Sequence, residues 1–330
     1  MKSGTALDAR RCRSRVSLVL NPGDESDLAS WEENVVTALA KAALLLATAA
    51  AASAGSGWQT AFAQYTPANT GLWGTEIPAK DIDPAIRAAA DALGLIRDTR
   101  LVIGQVNLLE YVGSGTMVDV EATTPGRQID VSKFTYAVAL QIPASRLDFE
   151  TAGGRTVRVV KKDRAWNEET PGINPSPSGN AAYRAQAMWL MPHAAIHTAV
   201  FASAKKCFDG KACEVPLQIA KEDGKTTLTT SINGQSYKTT LGADNRPERV
   251  EATIAMPGGG AKKMVSIYSG YRNGQSLGQA ALDKFHTGTY WPGRIVQEID
   301  GVKVLDIVLT EGWSNPYQIF PEPELLAKTK

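Results

Sequence analysis

Between Gln128 and Pro143 the apolar side chains fall close to every second position: Ile129, Val131 and Phe134, then an apolar-rich stretch from Tyr136 to Leu140. A period of two turns one face of an extended chain toward a core, and the imperfect alternation predicts a long strand with a bulge. Two shorter runs, residues 146–150 and 155–160, flank Gly153-Gly154. Glycine adopts positive φ at no steric cost, so a tight antiparallel hairpin is predicted there. In the C-terminal half, Asp223-Gly224, Asn233-Gly234, Asn273-Gly274 and Asp300-Gly301 each lie between alternating segments. These dipeptides tolerate the two positive φ angles of a type I′ turn, and their succession predicts an antiparallel meander. The last is the cleanest, with residues 294–299 facing 302–309 across Asp300-Gly301.

Helical signals are fewer. Asp83 offers an N-cap carboxylate, Pro84 fits the first helical position, and an Ala-rich run reaches Leu93 before Gly94 stops it. Residues 101–109 then read as a strand running toward Gly113-Ser114-Gly115, which reads as a turn. Residues 167–180 carry Pro171, Gly172, Pro175, Pro177 and Gly179 and read as a loop. Behind it, residues 181–191 and 194–204 favour helix and are interrupted by Pro192, predicting two short helices or one kinked helix whose apolar faces cover a sheet. No strand–helix–strand repeat occurs, which argues against a Rossmann or barrel α/β fold. The expected class is mainly β (α+β).

The N-terminal stretch reads as targeting. Lys41 precedes an Ala/Leu run over residues 42–54, and Ala61-Phe62-Ala63 supplies a small-x-small cleavage pattern. This predicts a signal peptide over residues 35–63 and a mature chain of one domain from Gln64 to Lys330, placing the protein in the periplasm or outside the cell. A transmembrane anchor is the competing reading, but the apolar run falls short of the ~18–20 residues a span needs. Residues 1–34, with Arg10, Arg11, Arg13 and Arg15 and then Asp24, Glu25 and Asp27, do not resemble a signal's charged leader. Either translation starts near Val35 or this is a disordered extension.

Charge removes one class of partner. The 35 basic and 34 acidic side chains leave a net charge of +1, so there is no surplus to grip a nucleic-acid backbone. The lysine pairs at 161–162, 205–206 and 262–263 read as surface. Cys207 and Cys213 bracket a short loop containing Asp209-Gly210, which predicts a disulfide rather than a zinc site.

Catalytic patterns are sparse. There is no His-x-His-x-Asp-His run and no His-Glu-x-x-His pair, so neither an autonomous active site nor a cofactor is expected. Gly224-Lys225-Thr226 lacks the upstream glycine of a phosphate-binding loop, since Ile219 stands there. His193 and His197 lie four apart on an expected helix, and with His286 they form the one candidate metal set; core or capping histidines are the default reading. Glu168 and Glu169 beside Trp166 point to opposite sides if extended and read as a solvated loop.

The segment from Phe285 to Leu309, in which Tyr290-Trp291-Pro292 leads into Arg294-Ile295-Val296, a glycine turn and an apolar strand, resembles the late hairpin of the outer-membrane lipoprotein carrier (LolA-like) superfamily. Residues 164–169 and 189–193 are also similar to bacterial envelope proteins that sometimes precede metallo-β-lactamase domains. The resemblance implies a curved antiparallel half-barrel, an N-terminal helix, and a helical insertion over about 161–215 covering the concave face. It further implies an apolar cavity for a lipid or hydrophobic small molecule, lined by Trp166, Met188, Trp189, Met191, Tyr290 and Trp291. The other functions in view are an accessory domain positioning substrate for an envelope metallo-hydrolase and a structural module that binds an envelope partner.

Overall fold

The computed structural model describes residues 77–97, 102–103, 108–122, 126–140, 142–207, 212–274, 288–314, 320 and 322–323. The signal segment, the leader before it and His286 lie outside the described residues.

A short strand β1 (Ile77–Pro78) leads through a 3-10 turn into helix α1 (Pro84–Ala92). The sequence sets both ends of α1. The Asp83 carboxylate accepts the Ala85 N–H, and Pro84 fills the first turn. Gly94, at φ +70°, ends the helix, with Leu95 N–H bonded to Ala90 O and Gly94 N–H to Asp91 O. A side chain at Gly94 would also overlap the Gly288 carbonyl. Strands β2 (Ile96–Arg97) and β3 (Val102–Ile103) complete a small sheet with β1, in the order β1-β3-β2. Of the strand expected over 101–109, residues 102–103 form β3 and 108–109 open the long strand that follows, and the others lie outside the described residues.

The main sheet begins with β4 (Leu108–Met117), β5 (Ile129–Ala139), β6 (Ala144–Thr151), β7 (Gly154–Lys161), β8 (Arg164–Glu168) and β9 (Ser176–Ser178). The chain then crosses through α2 (Ala181–Ala187), a 3-10 turn (Met188–Leu190) and α3 (Pro192–Ser203). A second run follows: β10 (Leu217–Glu222), β11 (Lys225–Ile232), β12 (Gln235–Leu241), β13 (Pro247–Ala255), β14 (Ala261–Ser269), β15 (Arg272–Asn273), β16 (Tyr290–Trp291), β17 (Arg294–Ile299) and β18 (Val302–Ser314). Thirteen strands form one antiparallel sheet, ordered β10-β11-β12-β13-β14-β17-β18-β4-β5-β6-β7-β8-β9. The first long strand thus pairs with the last at the centre. The sheet stays open, a half-barrel whose concave face receives the helices. The fold is mainly β, as the patterning predicts.

Three of the four turn dipeptides behave as expected. Asp223-Gly224, Asn233-Gly234 and Asp300-Gly301 all have positive φ at both positions and close two-residue hairpins. Asn273-Gly274 does not: Asn273 lies within β15 and pairs with Tyr290, a partner far along the chain. Gly113-Ser114-Gly115 is likewise strand rather than turn, inside β4. A Cβ at Gly113 would sit 2.3 Å from the Val308 carbonyl, and one at Gly115 2.0 Å from that of Asp306, so these glycines let β4 approach β18 closely. The predicted bulge falls opposite them, where β5 uses two residues, Ser132 and Lys133, against Ser114. Within the expected loop 167–180, residues 176–178 pair with β8 as the edge strand β9.

Every residue of α3 from Pro192 to Ala202 is buried. A helix apolar on all sides sits inside a core rather than on it, and α3 fills the concave face. Sheet tyrosines tie the crossover down: the Tyr237 hydroxyl donates to Gln186 O at 3.1 Å, and the Tyr268 hydroxyl donates to Leu190 O. Both carbonyls lie at the ends of short helical segments, where carbonyls take partners from outside the helix.

Candidate functional site

Beside α3, under α2, the concave face keeps a cavity of about 90 Å³. Its walls are apolar, with Met117, Phe134, Leu147, Met191, Ile295 and Leu305 contributing from β4, β5, β6, β17, β18 and the crossover. One end is polar, with Glu121, Tyr136, Arg158, Tyr183 and Arg184. Ligand pockets usually span about 300–1,000 Å³, so as it stands the cavity has room for no more than a small apolar group or the end of a chain.

The polar end is built around Arg184, the one buried residue of α2. Its Nε donates to Glu121, its Nη1 to the carbonyls of Val159 (3.0 Å) and Trp166 (2.8 Å), and its Nη2 to Glu121 Oε2 and Asn167 Oδ1 (both 2.6 Å). All donor groups of the guanidinium are engaged, which is what a buried arginine requires. Arg158 donates to Asp119 at 2.7 Å and lies 3.7 Å from Glu121, and Asn180 also donates to Glu121. Two guanidinium groups meet two carboxylates, so this end carries no net charge. Burial pushes the Tyr136 hydroxyl up to about 12 and raises that of Tyr183 further, so both remain protonated donors.

The residues expected to line a cavity divide. Met188, Trp189, Met191 and Trp291 share the main core, and of these Met191 faces the cavity. Tyr290 is half-buried, with the Arg246 guanidinium 4.1 Å from its ring centre. Trp166 belongs to the other side of the sheet. It pairs with Val159, paired residues share a face, and that face packs with Val157, Ala137 and Phe320 in a separate cluster. Glu168 is buried there too, not solvated. It accepts from Trp166 Nε1 (2.7 Å) and the Gly172 N–H (2.8 Å) and lies 3.5 Å from Arg146.

His193 and His197 are both enclosed, and desolvation pushes each imidazole down to about 3. The Tyr290 carbonyl can only accept, so His193 Nε2 carries the proton and donates to it at 3.0 Å; Nδ1 then accepts from the Tyr111 hydroxyl at 2.8 Å. Both nitrogens of His193 are thereby committed within the core. Trp291 packs against this pair, its ring centre 4.6 Å from that of His193 and 5.0 Å from that of Tyr111. The indole lies over Gly312, where any Cβ would collide with it. Cys207 and Cys213 form the expected disulfide.

Glu121, Arg158 and Arg184 were not singled out by sequence. The available signal was Tyr183-Arg184, a lone charge in an alanine run. The sequence also contains one Gly-x-Ser-x-Gly match, Gly274 to Gly278. Gly274 directly follows the two-residue β15, and residues 275–278 lie outside the described residues. Among the described residues no helix is long and apolar enough to cross a membrane. No protein-family model matches this chain, and no curated protein matches it.

Proposed function

We propose that this is an exported envelope protein of the LolA-like kind. It holds part of an apolar ligand, a lipid chain or hydrophobic small molecule, in the cavity beneath α2. The observation that carries the reading is the apolar-walled cavity on the concave face of an open half-barrel, closed at one end by hydroxyl and charged groups suited to a polar head. Burial of apolar surface supplies the affinity, and displacement of α2 would enlarge the space. A metal at His193 and His197 would favour the accessory-hydrolase reading, and the enclosure of both rings in the core lends it no support. One observation favours the partner-binding module instead: the part of the concave face under α3 is occupied by a helix buried from Pro192 to Ala202.

The test is native mass spectrometry with organic extraction on the full chain isolated from an envelope fraction, followed by titration with a fluorescent fatty acid. Copurifying acyl species, and binding weakened about tenfold or more by the cavity-filling Leu147→Trp, are expected. Absence of both would overturn the proposal and put the partner-binding module first.

A further inference from the structure

The charges at the polar end of the cavity are already matched to one another. Glu121, Arg158 and Arg184 keep 10% or less of their side-chain surface exposed. Glu121 accepts from Arg184 and Asn180 and lies 3.7 Å from Arg158, whose Nη2 donates to Asp119 at 2.7 Å. Every donor of Arg184 is taken by Glu121, Asn167 or a backbone carbonyl.

A ligand head entering here changes that balance. A carboxylate would set three anions against two guanidinium groups, and an ammonium would set three cations against two carboxylates. Either ion leaves water for a place whose counter-charges are committed, and burial of an uncompensated charge costs far more than a hydrogen bond returns. A zwitterion adds no net charge, yet each of its charges meets the same committed partners.

An uncharged hydroxyl keeps the balance and finds a partner. Tyr183 of α2 lines the cavity, and among the described residues no hydrogen bond engages its hydroxyl. Burial first, and then the Glu121 carboxylate, raises that hydroxyl, so it stays protonated and can give or accept a bond. The Tyr136 hydroxyl is instead bonded to Ser145.

We propose, resting on the reading of this cavity as the ligand site, that its ligand is a single alkyl or acyl chain with an uncharged hydroxyl head, as in a fatty alcohol or a monoacylglycerol. The head lies at the Tyr183 end, and ionic heads bind there more weakly.

The test is displacement of an apolar fluorescent dye from the full chain by a series sharing one ten-carbon chain: 1-decanol, 1-monodecanoylglycerol, decanoate and decylammonium. Both hydroxyl ligands should bind about tenfold or more tighter than either ion, the tighter of the two telling fatty alcohol from acylglycerol. Glu121→Gln keeps an oxygen for Arg184 but removes a negative charge, so decanoate should gain about tenfold while decanol barely changes. Arg158→Gln should do the same for decylammonium. Circular dichroism checks the fold of both variants, and should one fail to fold, the other decides. A cavity that is merely apolar would share the first ranking but not these shifts. Tyr183→Phe should weaken both hydroxyl ligands about fivefold. If no member of the series binds, the reading of the cavity as a ligand site fails and the choice of head falls with it. If an ion binds as tightly as decanol, if the charge variants leave their ions unmoved, or if Tyr183→Phe changes nothing, the ligand site stands and the uncharged head at this end is overturned.

Discussion

Helices α2 and α3 follow one another along the same concave face but are held there by different means. α3 is enclosed from Pro192 to Ala202; His193 bonds within the core, and Thr198 bonds back to the Ala194 carbonyl of its own turn. α2 buries a single residue, Arg184, and that residue is an ion. Burial of apolar area is nondirectional and distributed over many contacts, whereas a buried guanidinium depends on a few acceptors in fixed places. The difference teaches where this fold is rigid and where it can open. The cavity lies under the helix secured by a small set of directional bonds.

The largest expected effect tests the α3 side. Phe201→Ala should cost about 4 kcal/mol by leaving a void in a close-packed region, measured as a lower midpoint in denaturant unfolding. Arg184→Met should cost about 3 kcal/mol, because Glu121 would be left buried with less compensation. Its signature should be local: faster hydrogen exchange in residues 181–187 and easier entry of an apolar dye. Equal exchange rates across both helices would break the comparison.

Acid should act on α3 next. Its two imidazoles are held at about 3, below the 6.5 of an unfolded chain, so the unfolded state takes up protons first. Their contribution is complete above pH 6.5 and is lost as the pH falls toward 3, at a slope approaching 1.4 kcal/mol per pH unit for each ring. Unfolding midpoints measured between pH 7 and 5, in wild type and in His197→Leu, check this: the variant should show a shallower fall. The smallest effect is a gain. Lys205 ends α3 at φ +55°, where glycine is at ease, so Lys205→Gly should stabilise by about 0.5–1 kcal/mol in thermal unfolding.

Local chemistry made much of this architecture readable in advance. Asp83, Pro84 and Gly94 mark α1 because caps act within a few residues, and the Asp-Gly and Asn-Gly hairpins follow from allowed φ at two adjacent positions. What failed to read was non-local. Whether Gly113 and Gly115 make a turn or admit a neighbouring strand depends on β18, nearly two hundred residues on. Asn273-Gly274 turns nothing because its strand pairs with Tyr290. Of the candidate cavity residues, Met191 arrives at the cavity, while Trp166 shows that an aromatic on a strand cannot be assigned to a face until the register is known. The Glu121–Arg184 pair joins residues 63 positions apart, and no sequence spacing announces it.

The seam between β4 and β18 also bears on how the molecule is made. Most of each half of the sheet is a run of hairpins between near neighbours and can zip up as it emerges, but Leu109 must wait for Ser314. Until β18 is available, β4 is a ten-residue strand with one side unmatched, lying in the middle of what will become a continuous surface. Assembly therefore has a late, long-range step, and a chain held up before residue 302 would present that strand to any passing polypeptide. A protein built this way gains from a companion that shields the nascent half-sheet until its last strand arrives.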